Sequence, residues 1–191
     1  MKRGIRNNNP LNIRHSADRW QGARVEQTDK AFVQFTSMAY GYRAAWKVLD
    51  SYWNHFDRLG KPYNARNIIT RWAPPTENDT ESYFRTVLKL SGVGGNENFP
   101  RPSRGTGYER LELLLRAMTC VECGIAFDKV DVEAIRQGFK LAFPGVLSSK
   151  RMNVNPKEPS DMCVSILPTQ RGTTLSYLDE YWDWSPEAYG K

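Results

Sequence analysis

The chain of 191 residues has no long apolar run, no signal-peptide core and few metal ligands. No stretch approaches the run of about 20 apolar residues that a membrane-spanning helix needs, so no membrane span is expected. Polar residues follow Met1-Lys2-Arg3, so we expect synthesis in the cytoplasm without a signal peptide. Only two histidines and three cysteines are present. Since tetrahedral zinc needs four ligands, the pair Cys120 and Cys123 predicts no metal site, and no cofactor is expected.

Positive charge is in excess, with 27 Lys and Arg against 21 Asp and Glu. Much of the excess lies in the first two dozen residues. Such a patch attracts polyanions, whether nucleic acid, an anionic cell-wall polymer or lipid headgroups, and charge alone does not choose among them. Residues 177–191 (YLDEYWDWSPEAYGK) carry an excess of negative charge instead. This tail either docks on a basic surface or is simply solvated.

The apolar spacing predicts a mostly helical α+β fold with about five helices. Residues 3–37 are rich in Asn, Gly and Pro, and the alternation over 31–35 (AFVQF) predicts a small irregular β-sheet lobe. We expect one domain over 1–144, then a C-terminal extension over 145–191 with short strands near 163–167. The helices are expected over 38–56, from an Asn64 cap to Trp72, from Asp79 or Thr80, from Tyr108 to Cys120 or Glu122, and from Asp131 to Pro144.

Five motifs follow one another in a specific order. They are NNPLNIR at 8–14, WQG at 20–22, FVQF at 32–35, GYRA at 41–44 and WAPPTENDTESY at 72–83. This order resembles the lysozyme-like superfamily, in particular the sheet lobe of flagellar-type N-acetylglucosaminidases. It is closer still to phage virion proteins, described as structural proteins with a lysozyme-like domain, that begin RGxRNxNPxNIR and carry WAPPxEN. The resemblance covers residues 3 to about 93, extends weakly to 144 and leaves the rest unmatched.

The resembled glycosidases place their catalytic acid at the end of a helix that precedes the sheet, in an ESG motif. That position would lie before Met1 in this chain. Glu122-Cys123-Gly124 ends a buried helix with the same pattern, but after the rest of the domain. Because chain termini of compact domains often lie close together, moving one helix changes connectivity without changing packing. The resemblance therefore implies a circularly permuted lysozyme-like fold, with Glu122 facing a groove beside the amino-terminal sheet.

Glycoside cleavage needs a carboxylic acid that keeps its proton near neutral pH, and apolar surroundings favour the neutral form. Residues 113–115 (LLL) and 117–118 (AM) give Glu122 such neighbours. The alternative is that Glu122 is an exposed last-turn residue of a core helix. A second carboxylate would stabilise the oxocarbenium ion or orient water, and the resemblance points to Glu26 and Asp29. Asp29 serves equally well as the cap of a turn, and Glu77 is a reserve acid.

Sugars are bound by aromatic faces and by side-chain amides. The matching motifs supply eight candidates: Asn9, Asn12, Trp20, Gln21, Trp72, Glu77, Asn78 and Tyr83. For Trp72 and Tyr83, packing in the core is the alternative role.

The resemblance implies a peptidoglycan-cleaving glycosidase or lytic transglycosylase of phage origin. Its partners would be glycan strands of the bacterial cell wall, reached from the virion or after lysis. The alternative is a catalytically inactive lysozyme-like virion structural or wall-binding protein, which contacts other virion proteins through the extension. Nucleic-acid binding has charge in its favour but no recognised motif, so nucleic acid is not an expected partner.

Overall fold

The computed structural model describes residues 2–146. Over this range the protein is mostly helical, as predicted. The helices are α1 (Arg3–Arg6), α2 (Met38–Arg58), α3 (Ala65–Trp72), α4 (Thr80–Ser91), α5 (Tyr108–Cys123) and α6 (Val132–Ala142), with 3-10 turns at Pro102–Arg104 and Phe127–Lys129. The strands predicted near 163–167 and the acidic tail lie outside the described residues, and the boundary after residue 144 stays a prediction.

Helix α2 forms the centre of the core. Its Trp46 is fully buried and packs edge-on against Phe139 of α6, with the ring centroids 5.1 Å apart. The indole Nε1 of Trp46 donates to the carbonyl of Ile135 at 3.1 Å. A Cβ atom at Gly138 would lie 2.6 Å from the Cβ of Tyr42, so only glycine lets the two helices approach this closely.

Three of the predicted helix starts are confirmed by their caps. The side chains of Asn64, Asp79 and Asp131 accept hydrogen bonds from the backbone N–H three residues later, at 2.9, 3.0 and 2.9 Å. These bonds satisfy backbone donors that a helix start otherwise leaves without a partner. The caps fix where α3, α4 and α6 begin.

The predicted amino-terminal β-sheet lobe is wrong. Among residues 2–146, strand pairing is limited to three isolated antiparallel bridges: Arg14 with Phe32, Ala23 with Phe35, and Asn64 with Asn98. The alternating segment 31–35 takes part in two of these bridges but forms no continuous strand.

Side-chain amides explain why no ladder forms. The amide of Asn9 accepts from the N–H of Ile13 at 2.9 Å and donates to the carbonyl of Val33 at 2.8 Å. The amide oxygen of Gln34 accepts from the N–H of Thr28 at 2.6 Å, and Gln27 accepts from the N–H of Gln34 at 2.7 Å. Because these backbone groups bond to side chains, they are not available to a regular β-ladder.

The amino-terminal segment, residues 2–37, packs on the end of α5. A Cβ at Gly4 would lie 2.9 Å from the Sγ of Cys123, and that Sγ donates to the carbonyl of Pro10 at 3.2 Å. Burial raises the pKa of the Cys123 thiol to about 11, so the thiol keeps the proton that it donates. Within 2–146, no helix is both long and apolar enough to cross a membrane.

Candidate active site

The side chain of Glu122 is held by three other parts of the chain. Glu122 lies in the last turn of α5, which ends where Gly124 adopts a left-handed conformation with φ of 56°. Its carboxyl accepts one hydrogen bond from the amino-terminal segment, one from the end of α3 and one from α4. Four segments that are distant in sequence therefore meet at this carboxyl.

The three donors divide between the two carboxyl oxygens. Oε1 accepts from the indole Nε1 of Trp72 and from the hydroxyl of Tyr83, both at 3.1 Å, while Oε2 accepts from the amide of Asn12 at 2.9 Å. Within residues 2–146, no cation forms an ion pair with Glu122. Neutral donors thus fix the orientation of the carboxyl.

Tyr83 is suited to remain a donor to this carboxyl. Burial, together with the neighbouring charge of Glu122, raises the pKa of the Tyr83 hydroxyl well above its usual value. The phenol is therefore protonated at any physiological pH. Trp72, the second donor to Oε1, packs against Tyr52 with a ring-centroid distance of 6.4 Å.

The backbone of Asn12 directs its amide to Glu122. Asn12 has a φ of 50°, in the left-handed region that asparagine tolerates better than most residues. Its N–H donates to the carbonyl of Asn9 at 3.0 Å, which closes a tight turn. The NNPLNIR motif therefore encodes a turn that presents one amide to the end of α5.

A cleft of about 270 Å³ opens beside Glu122. Apolar and aromatic side chains form much of its surface, and polar groups are spread along its sides. The lining residues are Leu11, Asn12, Ile13, Arg14, His15, Ser16, Asp18, Trp20, Phe32, Val48, Tyr52, Trp72, Ala73, Glu77, Asn78 and Glu122. This combination of apolar surface with a few converging polar groups is typical of a ligand-binding site.

An ion pair links the two sides of the cleft. Arg14 of the amino-terminal segment lies 3.9 Å from Glu77, which belongs to the loop between α3 and α4. Both side chains are about half exposed, at 47% and 45%. Exposed pairs of this kind are weak, so a ligand can displace the contact at little cost.

The structure brings most of the predicted sugar-binding residues together. Asn12, Trp20, Trp72, Glu77 and Asn78 line the cleft. Tyr83, for which packing was the alternative role, contacts the Glu122 carboxyl directly.

Two predicted sugar-binding residues lie elsewhere. Asn9 is fully buried, where it holds the amino-terminal segment together. Gln21 is exposed and does not line the cleft.

Asp29, one of the predicted partner carboxylates, belongs to an ion-pair cluster. It accepts from Arg3 at 2.7 and 2.5 Å, from Asn7 at 2.8 Å, and from the N–H groups of Ala31 and Phe32 at 3.1 Å. The hydrogen bonds from Arg3, and then those from Asn7 and the two N–H groups, hold the pKa of this carboxyl far below its usual range. The side chain, only 3% exposed, stays ionised and organises the turn at 29–32.

Glu26, the other predicted partner, is exposed. Neither Glu26 nor Asp29 lines the cleft, so the structure does not bring these two carboxyls to Glu122. The carboxyls that share the cleft with Glu122 are Glu77 and Asp18. Asp29 is instead bound by Arg3 and Asn7 of the amino-terminal segment.

Sequence reasoning missed several lining residues, namely Arg14, His15, Phe32 and Tyr52. The first two belong to the quoted NNPLNIR motif or follow it directly, so the motif itself was a usable signal. Tyr52 lies on the apolar stripe of α2, and apolar spacing alone does not distinguish a core position from one that lines a cleft.

The described residues contain no group of three or more His, Cys, Asp or Glu side chains able to hold a metal ion. Cys120 and Cys123 are both buried free thiols, and Cys163 lies outside the described residues.

One curated protein shares much of this sequence. Protein P5 of Pseudoalteromonas phage PM2 is 32% identical over 146 residues, which span 75% of this chain and 83% of that protein. No protein-family model matches the chain. Identity at this level over most of both chains supports a phage origin, and the chain belongs to the same family as Protein P5 of Pseudoalteromonas phage PM2.

Proposed function

We propose that this protein cleaves peptidoglycan, as a glycosidase or lytic transglycosylase of phage origin, with Glu122 as the general acid. One observation carries the proposal: Glu122 lies in a cleft lined by aromatic, apolar and polar side chains, with its carboxyl oriented by three neutral donors. A carboxyl held in this way can deliver a proton in a defined direction. If the only role of Glu122 were to pack the end of a helix, no open cleft would be needed beside it.

The cleft offers the groups that sugar binding requires. Trp20 and Trp72 supply aromatic faces, and the amides of Asn12 and Asn78 supply donors and acceptors for hydroxyl groups. A glycan bound with its glycosidic oxygen near Oε2 of Glu122 would receive the proton as the bond breaks. The Oε1 oxygen already accepts two hydrogen bonds, so Oε2 is the better placed of the two.

Glu77 is the better candidate for a second carboxylate than Glu26 or Asp29. It lines the same cleft as Glu122 and lies 3.9 Å from Arg14. In hydrolysis it would orient water or stabilise the oxocarbenium ion. In lytic transglycosylation a second carboxylate is not required, because the sugar closes on itself to form an anhydro product.

The proposed fold is a lysozyme-like domain in which the acid-bearing helix has moved from the start to the end of the chain. The contact between Cys123 and Pro10 supports this arrangement, because it joins the end of α5 to the amino-terminal segment. The domain would act at the bacterial wall, from the virion or after lysis.

The deciding experiment is a digest of purified peptidoglycan, with released muropeptides identified by mass spectrometry. We expect products from the wild type and none from Glu122→Gln, which keeps the size of the side chain but cannot donate an acid proton. Glu109→Gln is the matched control, since Glu109 is an exposed residue at the start of the same helix. Equal activity in Glu122→Gln would contradict the proposal, and wall binding without any products would support the non-catalytic alternative.

A further inference from the structure

Two arginines of the amino-terminal segment pair with the buried carboxylate Asp29, and a third lies nearby. Arg3 binds it through two nitrogens, and Arg6 lies 3.6 Å from it. Arg24 lines the same shallow depression as Arg6 and Asp29. The side chains of Arg3 and Arg6 remain 48% and 59% exposed, so much of each guanidinium faces solvent.

Phe32 connects this surface to the cleft. Its ring lies among the cleft-lining groups, and two guanidinium carbons approach it, Arg3 at 4.4 Å and Arg14 at 5.6 Å from the centroid. Arg14 itself lines the cleft. A continuous series of contacts therefore leads from the cleft through Arg14 and Phe32 to Arg3, and then through Asp29 to Arg6. We call Arg3, Arg6, Arg14 and Arg24 the arginine face.

The arginine face keeps an excess of positive charge. Its four guanidinium groups are opposed by Asp29 and, at 3.9 Å from Arg14, by Glu77. Contacts with Phe32, Asp29 and, for Arg24, the carbonyl of Phe35 at 3.0 Å already order these side chains. Binding an anion here would therefore lose less conformational entropy than binding to unrestrained arginines.

We propose that the arginine face binds carboxylates on the peptide stems of the glycan strand that occupies the cleft. This inference rests on the proposed function and names the part of the substrate that lies outside the cleft. The sugar backbone between stems is largely uncharged, so it can enter a cleft that contains carboxyl groups. Stems that project from the strand would then meet guanidinium groups, which pair well with carboxylates.

The acidic groups of the cleft argue against nucleic acid as the occupant of this surface. Glu122, Glu77 and Asp18 all line the cleft. A nucleic acid carries a phosphate at every residue, so a strand running from the arginine face into the cleft would place phosphates against these carboxyls. A strand with intermittent charges avoids this repulsion.

The test measures binding to peptidoglycan sacculi in the Glu122→Gln background, so that turnover cannot remove the ligand. The arginine-face variant carries Arg6→Gln and Arg24→Gln, and a second variant carries Arg6→Lys and Arg24→Lys to keep the charge. The matched control is Arg85→Gln with Lys140→Gln, which removes two exposed charges from α4 and α6. Each protein is sedimented with sacculi, with sacculi whose peptide stems an amidase has removed, and with added salt.

The expected result is a roughly tenfold weaker affinity for the glutamine pair at low ionic strength, with a smaller loss for the lysine pair and the control close to the parent. Removing the stems should abolish this difference, and high salt should reduce it. Equal loss in the control, or a difference that persists without stems, would overturn the inference. Tighter binding of the parent to DNA than to sacculi would also overturn it. Failure of the proposed function would be distinct, because the wild type would then release no muropeptides.

Discussion

Asn12 donates a hydrogen bond of 2.9 Å to Glu122, although 110 residues separate them in sequence. The contact joins a tight turn of the amino-terminal segment to the last turn of α5. It also makes the orientation of the carboxyl depend on a backbone conformation that few residues adopt easily.

Replacing Asn12 by glycine removes the amide while keeping a residue that accepts a φ of 50°. We expect kcat on peptidoglycan to fall about tenfold, because losing one hydrogen bond that orients the reacting carboxyl costs on the order of 1.5 kcal/mol. The control is Asn8→Gly, since Asn8 has a φ of 51° and donates to Phe35 rather than to Glu122. Equal losses of activity in the two variants would show that the amide of Asn12 has no specific role.

Tyr83→Phe deletes one of the two donors to Oε1 and leaves the aromatic ring in place. Its turnover should fall by about an order of magnitude, since the carboxyl loses one of the bonds that orient it. Tyr63→Phe is the comparison, because the Tyr63 hydroxyl donates to the carbonyl of Leu49 at 3.0 Å. That variant should lower the free energy of unfolding without lowering turnover per folded molecule. Steady-state kinetics and urea denaturation together distinguish the two effects.

Asp29→Asn should destabilise the fold by about 2 kcal/mol at pH 7, because the paired arginines and the turn lose a charged acceptor. The pKa of Asp29 is lowered in the folded state, so its contribution is fully present above the unfolded value of about 3.9. The contribution is lost as pH falls below that value, since the unfolded chain then binds a proton that the folded chain does not. Urea denaturation at pH 7 and pH 3 should therefore give a smaller gap between wild type and variant at pH 3.

The Asp29 variant also tests the predicted catalytic role of this carboxyl. If Asp29 has only a structural role, turnover should fall only in proportion to the amount of folded protein. A much larger loss of turnover in fully folded Asp29→Asn would instead support the role of partner carboxylate.

The protonation of His55 makes the free energy of unfolding depend on pH, in a range above that of Asp29. Burial, followed by the charges of Arg71, Arg58 and Lys61, lowers the pKa of His55 to about 4. A histidine in the unfolded chain titrates near pH 6.5. Between about pH 6.5 and 4, the unfolded chain therefore binds a proton at this residue that the folded chain does not bind. The free energy of unfolding should decrease as pH falls through this window. His55→Gln should flatten that decrease in a denaturation series from pH 7 to pH 4.5, and an unchanged slope would contradict the assignment.

The helices could be predicted because their determinants are local. Apolar residues at spacings of three and four place one face of α2 in the core, and Asn64, Asp79 and Asp131 supply caps within the same short segments. The β-sheet prediction failed for the opposite reason. The alternation over 31–35 is a local signal. The side chains of Asn9 and Gln34, by contrast, bond to backbone groups elsewhere in the amino-terminal segment, which a β-ladder would otherwise use.

The sequence by itself determined α2 to α6, the capped starts of α3, α4 and α6, and the presence of a carboxyl at the end of an apolar helix, whereas α1 was not predicted. Only the tertiary structure decided that Asn12, Trp72 and Tyr83 converge on Glu122, while Asp29 is held by Arg3 on the outer surface of the same segment. The physical reason is the range of the interactions. A helix cap or an apolar stripe involves residues within one or two helical turns. Each donor to Glu122 comes from a different segment, so its hydrogen bond to the carboxyl forms only when the core has packed.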